Sequence, residues 1–422
     1  MNALISIRLN IIAVLILFPI ISSAQWYINP DVPQASRYDD IVFVDENEGW
    51  AVGSSGNILH TTDQGLTWEI QMVSNDYLRS VEFVDANIGF CGALGPALYK
   101  TTDGGANWEN IASTINPVPP GICGLSAPDV NTVYGCGIWS SPAYIIKSTD
   151  TGDTWTHIDM SAYATALVDI EFSSPDTGFV VGTANPASDG GIILHTTDGG
   201  ATWTTKFTTG VSLDYVWKIQ SPDGLNFFAS VDAVPVTNNL RILKSSDAGD
   251  TWVMDTILNT YVYTQLVGFI DSDHGWLGAG SELYETIDGG ITWEQVILGS
   301  SYNRFFRIND NIAFMSGSEI YKYGGTQVGM EEVPAYDEVH ELSVSPNPAS
   351  DKIHIDLTLN SHTEAQLMLI DMNGKVLYTF LDEVREPGSL TFDYSLADLS
   401  AQSLVLVLRS NEGIVYQKLI VE

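Results

Sequence analysis

The sequence predicts an all-β protein: a seven-bladed β-propeller with an N-terminal strand closing its last blade, followed by a small C-terminal β-sandwich. Three observations predict it. A phrase of Ser or Thr, Asp, Gly and Trp returns in fixed internal register at Thr61–Trp68, Thr101–Trp108, Ser148–Trp155, Thr196–Trp203, Ser245–Trp252 and Thr286–Trp293. Its aspartates, Asp63, Asp103, Asp150, Asp198, Asp247 and Asp288, follow one another at steps of 40, 47, 48, 49 and 41 residues. A period of that length means one supersecondary unit stacked many times. After residue 324 the phrase stops, and a different strand-rich region follows.

Each unit reads as four short strands. In the first these are Ile41–Val44, Gly49–Val52, Ile58–Thr61 and Thr67–Ile70, separated by Asp, Asn and Gly. Later innermost strands are expected at Ile122–Ser126, Asp169–Phe172, Val216–Gln220 and Leu266–Ile270. The phrase itself is a turn. The Asp carboxylate accepts backbone N–H groups, closing an Asx-type turn. Gly65, Gly105, Gly152, Gly200, Gly249 and Gly290 suit a positive φ, and the Trp offers a large face for packing between units.

A seventh unit has three strands, Phe305–Ile308, Ala313–Ser316 and Glu319–Tyr323, and no such phrase. Trp26-Tyr27-Ile28 resembles the Trp-Glu-Ile after the first phrase and is expected to supply the missing outer strand. Residues 25–324 over seven units give about 43 per blade, the usual size for four strands.

The termini frame this ring. Residues 1–24 have a single charge, Arg8, an apolar run from Ile11 to Ile21 and small residues Ser22-Ser23-Ala24, the pattern of a cleaved signal peptide. No transmembrane anchor is expected after cleavage. Residues 325–340 read as an acidic linker, and 341–422 as the sandwich. Its turns are Pro346-Asn347-Pro348, the Asp371–Lys375 hairpin and a hairpin at Gly413.

The repeated phrase resembles the Asp-box of sialidases, sortilin and related propellers. Together with the preceding V-x-F-V-D and G-W-A-V-G runs, it resembles the propellers of photosystem II assembly and stability factors across nearly all of residues 25–324. That resemblance implies a non-catalytic platform. The C-terminal region resembles the type A sorting domain of the Bacteroidetes type IX secretion system, through its Pro-Asn-Pro turn, its Asn-Gly hairpin and its last strand from Lys418. It departs from the family where Ala401-Gln402-Ser403-Leu404 replaces Gly-x-Tyr. The resemblance implies the type IX machinery as a partner, and a place outside the cell or on the outer surface of a Gram-negative bacterium.

The net charge is −35. Losing Arg8 with the signal peptide makes it −36. Residues 25–324 hold 36 acidic and 11 basic residues. Nucleic acid is excluded as a partner, because phosphate binding needs clustered Lys and Arg. Cys123 and Cys136 flank a turn symmetrically, so a disulfide between them is open beside plain apolar packing. Cys91 reads as a small buried hydrophobe.

The six phrase aspartates are expected to be structural. They sit one per blade, without the clustered oxygens of a calcium loop or the close carboxylate pair of a glycosidase. No metal and no cofactor is expected. The funnel where chains enter the innermost strands is the expected ligand-binding face. It holds Tyr38, Asp39, Tyr77, Arg79, Tyr215, Trp217, Lys218, Tyr263, Arg304 and Arg307, with Trp139 on a loop toward it. Aromatic faces with scattered arginines suit a glycan or peptide. The function read here is therefore a non-catalytic, exported interaction module for glycan or protein. The alternative is a sialidase-like or β-glucan-active glycoside hydrolase working from the funnel. Phe306-Arg307-Ile308-Asn309 is similar to the sialidase FRIP motif, but it lacks the Pro and lies in the last unit.

Overall fold

The computed structural model describes residues 26–28, 32–33, 35–232, 239–260, 262–296, 298–299, 301–324, 340–371, 376–396, 402–410 and 413–421. The expected signal peptide, nearly all of the linker and the tip of the Asp371–Lys375 hairpin lie outside these residues. The chain divides into two compact units, 1–326 and 327–422.

The first unit contains seven four-stranded antiparallel sheets among its described residues. Their innermost strands are Tyr38–Phe43, Leu78–Phe83, Gly124–Ser126, Ala164–Phe172, Tyr215–Gln220, Thr264–Phe269 and Tyr302–Asn309, and we number the blades 1 to 7 in that order. Each innermost strand touches the next, and blade 7 touches blade 1. The sheets therefore close into a ring. As the sequence suggests, Trp26–Ile28 is the outer strand of blade 7, pairing antiparallel with Ile320–Gly324 (Trp26 opposite Tyr323). The Trp26 ring meets Trp276 of blade 6 at 5.1 Å and Tyr323 at 5.2 Å, so the chain's start is locked against its last two blades.

The boundaries differ from expectation at both edges of a blade. The blade 1 outer strand begins at Glu69, not Thr67, because Thr67 is held in the turn. Asp63 Oδ1 accepts the N–H groups of Leu66 and Thr67 (3.0 and 2.9 Å), and Oδ2 accepts the Thr67 hydroxyl (2.6 Å). The Thr61 hydroxyl donates to Asp63 Oδ1 and accepts from the Gly65 N–H. The N–H four residues on is likewise accepted by Asp103, Asp150, Asp198, Asp247 and Asp288, and Oδ2 accepts the Thr hydroxyl at the last four and the Asn107 amide at Asp103. Donors converging on one carboxylate favour its charged form. The Thr side chain and N–H four residues on hold Asp150, Asp198, Asp247 and Asp288 down to about 2.

The tryptophan of each turn stands nearly edge-on to a phenylalanine: Trp68 to Phe43 and Trp155 to Phe90, for example, at 6.0 and 5.8 Å. T-shaped aromatic packing of this kind is favoured by the ring quadrupoles. Neighbouring blades are then clasped at the same turns. Gln71 donates to Gly104 O (2.9 Å), Lys147 to Gly199 O (2.8 Å) and Lys244 to Gly290 O (3.1 Å). Lys100 and Lys206 reach Asp153 and Asp250 of the following blade. These clasps explain where the scarce lysines go.

The second unit has a three-stranded and a four-stranded sheet. The first contains His340–Ser345, Lys352–Leu359 and Gly388–Ser395; the second contains Thr363–Asp371, Val376–Arg385, Gln402–Ser410 and Gly413–Val421. Ile353, Ile355 and Leu357 of one sheet and Leu367, Leu406 and Leu419 of the other share one buried core, which makes the unit a sandwich. The Pro-Asn-Pro turn is tied to the last strand: Asn347 Oδ1 accepts the Ile420 N–H (2.9 Å), and Ala349 N–H donates to Ile420 O (2.8 Å).

The disulfide left open by the sequence is not formed: Cys91, Cys123 and Cys136 are all free and buried. The register explains this. Gly124, not Cys123, lies opposite Cys136. Cross-strand partners share a sheet face and adjacent residues alternate, so the two thiols leave the sheet on opposite sides. Cys91 is fully buried among the blade 1 and 2 side chains, as its sequence context suggests.

Candidate functional site

The channel is built by a backbone irregularity. Six innermost strands shift register near their starts, skipping Asp39, Arg79, Val168, Trp217, Gln265 and Asn303. In blade 3 the Cys123 N–H is shared between the carbonyls of Cys136 and Gly137. A bulge leaves one residue without a cross-strand partner and re-aims its side chain. Each blade thus contributes an extra residue near the entrance of the channel.

These residues form a linked layer. Arg79 of blade 2 and Arg37 of blade 1 both pair with the fully buried Asp39. Two guanidiniums on one carboxylate leave one positive charge over. The Arg79 guanidinium lies 5.9 Å from the Trp217 ring centroid, and Arg37 lies 5.9 Å from that of Tyr77. Trp217 packs on Tyr215 (5.8 Å) and Tyr263 (6.4 Å). The Tyr215 hydroxyl donates to the Trp139 carbonyl (2.8 Å). Burial, then the Asp39 charge, pushes the Tyr77 hydroxyl up to about 12, so it stays a neutral donor.

Eight of the expected residues therefore gather at this end: Tyr38, Asp39, Tyr77, Arg79, Trp139, Tyr215, Trp217 and Tyr263. Tyr38 is buried and donates to Pro33 O, so it supports the layer and does not face solvent. Trp139 and Tyr263 are each 42 % exposed, enough to offer a face for stacking. Trp217 Nε1 and Gln265 Oε1 are buried polar atoms with no hydrogen-bond partner, though burial of an unpaired polar group is costly. Gln265 was missed by sequence reasoning, because a lone Gln inside an apolar run gives no signal of its own.

Lys218, Arg304 and Arg307 belong elsewhere. Arg304 bridges Asp40 (Nε to Oδ1, 3.3 Å) and Asp169 (Nη1 to Oδ1, 2.9 Å), and Lys218 reaches Asp169 at 3.3 Å. This is a second layer, deeper in the channel. Burial would lift the Asp169 carboxyl, but Arg304 and Lys218 together hold it below its ordinary value. Asp40, with one long contact to Arg304, is pushed up by burial. Arg307 lies still further along, donating to Ile270 O (2.7 Å) and pairing with Asp310. It is at the opposite mouth, on the side of the Asp-turns. The sequence grouped these three with the entrance because β periodicity does not reveal how far along the bore a side chain lies.

Many of these polar groups also stitch the ring. Bulged strands facing an axis do not pair with one another, so side chains bridge them. Asp40 accepts the Val81 N–H (3.0 Å), Ser80 donates to Ile122 O (3.2 Å), and Ser126 accepts the Phe172 N–H (3.1 Å). Asp169 accepts the Ile219 N–H (3.1 Å), Gln220 accepts the Phe269 N–H (3.0 Å), and Asn303 donates to Tyr38 O (2.7 Å). With Arg307 on Ile270 O, every junction between neighbouring blades has its stitch.

The Asp-turn aspartates take no part in either layer. Each is engaged by its own turn. Among the described residues no group of three or more His, Cys, Asp or Glu side chains is arranged to hold a metal ion.

Residues 18–122 match the family described as Photosynthesis system II assembly factor YCF48, and residues 343–422 match the Secretion system C-terminal sorting domain. Among solved structures, YCF48 bound to D1 peptide has a TM-score of 0.55 at 20 % identity, covering 72 % of this chain and 97 % of that one. YCF48 from Cyanidioschyzon merolae has a TM-score of 0.57 at 20 % identity, covering 71 % and 98 %. PorZ, a bacterial surface component of the type-IX secretion system of Porphyromonas gingivalis, has a TM-score of 0.52 at 12 % identity, covering 93 % of this chain and 60 % of that one. No curated protein matches the chain. The chain is thus an all-β protein whose propeller is similar to those of YCF48 and PorZ and whose C-terminal unit matches the secretion system sorting domain.

Proposed function

We propose that this protein is an exported, non-catalytic interaction module, carried outward by its sorting domain and binding a glycan or a protein at the channel entrance. The observation that carries this reading is the layer in which Arg37 and Arg79 share Asp39 beneath Trp217, Tyr215 and Tyr263. One uncompensated guanidinium in a strongly acidic protein selects ligands with an acceptor-rich or anionic group. The exposed Trp139 and Tyr263 rings add stacking. A solved relative, YCF48, is bound to a peptide, which supports a ligand-binding role for the shared fold and no more. The domain boundaries proposed are 1–24, 25–324, 325–340 and 341–422.

At the entrance and in the second layer, a non-catalytic role is supported by the fate of the carboxylates. Asp39, Asp40 and Asp169 are each held by an arginine, and Asp40 and Asp169 also accept a backbone N–H across a blade junction. A nucleophile or general base needs an open carboxylate beside an acid. The test combines a glycan array and a pull-down from secreted proteins, using the mature chain, with hydrolysis assays on sialosides and β-glucans. Binding without turnover is expected. Turnover of any of these substrates replaces this reading with the hydrolase.

A further inference from the structure

The Asp-turn mouth of the channel holds a cavity of about 270 Å³. Its inner end is the Asp40–Arg304–Asp169–Lys218 layer. Beyond that layer its walls carry Glu82 of blade 2, Ser126 of blade 3, Glu171 of blade 4 and Gln220 of blade 5, with Phe172 and Phe306 beside them. Glu171 and Gln220 lie two residues beyond Asp169 and Lys218, and Glu82 and Ser126 hold the matching places in blades 2 and 3, so alternation brings all four to the same level of the bore.

The polar groups here divide by use. Ser126, Gln220 and Arg307 stitch blade junctions. Lys218 and Arg304 hold Asp169. Among the described residues, Glu82 and Glu171 bridge no junction and pair with no cation at salt-bridge distance, although they face the cavity. Ring closure does not need them, which leaves them available to a ligand.

Charge arithmetic selects the kind of ligand. Asp40 and Asp169 balance Lys218 and Arg304, and Asp310 balances Arg307. Blades 3 and 6 add Leu125, Ser126, Ala127 and Val267 to the lining, with no charge. Burial, with the Asp40 charge added, pushes Glu82 up to about 8, and burial pushes Glu171 up to about 7. At pH 6 both are largely protonated, each able to donate and accept, and the cavity then carries little net charge. Neither an ammonium nor a phosphate is favoured in such a place. Mixed donors and acceptors beside aromatic rings suit hydroxyl groups on a compact ring, and the volume lies at the small end of ligand pockets.

We propose that this cavity is a second binding site, distinct from the entrance layer, for a neutral polyhydroxyl ligand the size of one sugar ring. It does not depend on the entrance reading.

The test uses the mature chain and a panel of methyl glycosides (glucoside, galactoside, mannoside and N-acetylglucosaminide), with n-butylamine and inorganic phosphate as contrasts. Saturation-transfer NMR and calorimetry read the binding. At least one glycoside binds at pH 6, about tenfold more weakly at pH 9 once both glutamates are ionised, and neither contrast binds. Glu171→Leu weakens binding about tenfold or more. The double variant Glu82→Gln, Glu171→Gln keeps binding at pH 6 and loses the decline toward pH 9. Unfolding curves show that both variants fold. The proposal is overturned if no glycoside binds, if n-butylamine or phosphate binds instead, or if the alkaline decline survives in the double glutamine variant.

Discussion

Gly65 of the first Asp-turn rests against the Phe314 ring of the last blade. A Cβ built on it would lie 2.7 Å from Phe314 Cε1, and its φ of 74° is one that side chains avoid. The contact joins the first blade to the last, where a ring of sheets is most exposed to opening. Gly65→Ala is expected to destabilise the propeller by about 1–3 kcal/mol, measured by denaturant unfolding of the mature chain. An unchanged midpoint contradicts the closure account.

The N-terminal strand makes the complementary test. Trp26→Ala removes the ring that packs on Trp276 and Tyr323 and should cost about 2–4 kcal/mol. Limited proteolysis should then cut blade 7 first. Equal protection of all blades would mean that the strand is ornamental.

The Asp-turns set the acid limit. Their carboxylates have folded-state values below the ordinary 3.8, down to about 2. A depressed value stabilises the fold when the group is ionised, so the contribution is complete above about pH 4 and is lost as pH falls toward 2. The unfolding midpoint should decline across that window, and Asp150→Asn with Asp198→Asn should flatten the decline. A midpoint insensitive to pH between 4 and 2 assigns the turns no such role.

Thiol counting checks the strand register. Because Gly124 faces Cys136, titration of the unfolded, unreduced chain should find three free thiols. Finding only one, with Cys123 and Cys136 joined in a peptide map, would show a register slipped by a residue.

At the entrance, Arg79→Gln leaves Asp39 with Arg37 alone and removes the spare positive charge. Affinity for whatever the array or pull-down identifies should fall about tenfold to a hundredfold. Trp139→Ala, at an exposed ring, should weaken binding without changing stability. Wild-type affinity in both variants removes the entrance from the function.

Much of this was legible from the residues. The Asp, Gly and Trp of each turn are bound to their place by local hydrogen bonds and one aromatic contact, so sequence alone located them. Trp26–Ile28 was recognisable because it matches the strand it stands in for. The channel was less legible. Asp39 and Asp40 are neighbours in sequence, yet a bulge sends them to different layers. Arg304 and Arg307 look alike in a strand pattern, yet one bridges two buried aspartates and the other reaches the far mouth. Such depth along the bore depends on register shifts, which leave no mark in hydrophobic alternation. The cysteine pair fails for the same reason: symmetry about a turn does not fix which residue faces which.

The register shifts have one further effect. A bulged residue has no partner across the strand, so its identity is almost free of the pairing that holds a blade together. Asp39, Arg79, Val168, Trp217 and Gln265 therefore form a set of exchangeable inserts lining a fixed frame, whereas Asn303 also stitches blade 7 to blade 1. Descendants of this chain can acquire a new specificity at its entrance by exchanging those few side chains, while the wheel that carries them stays as it is.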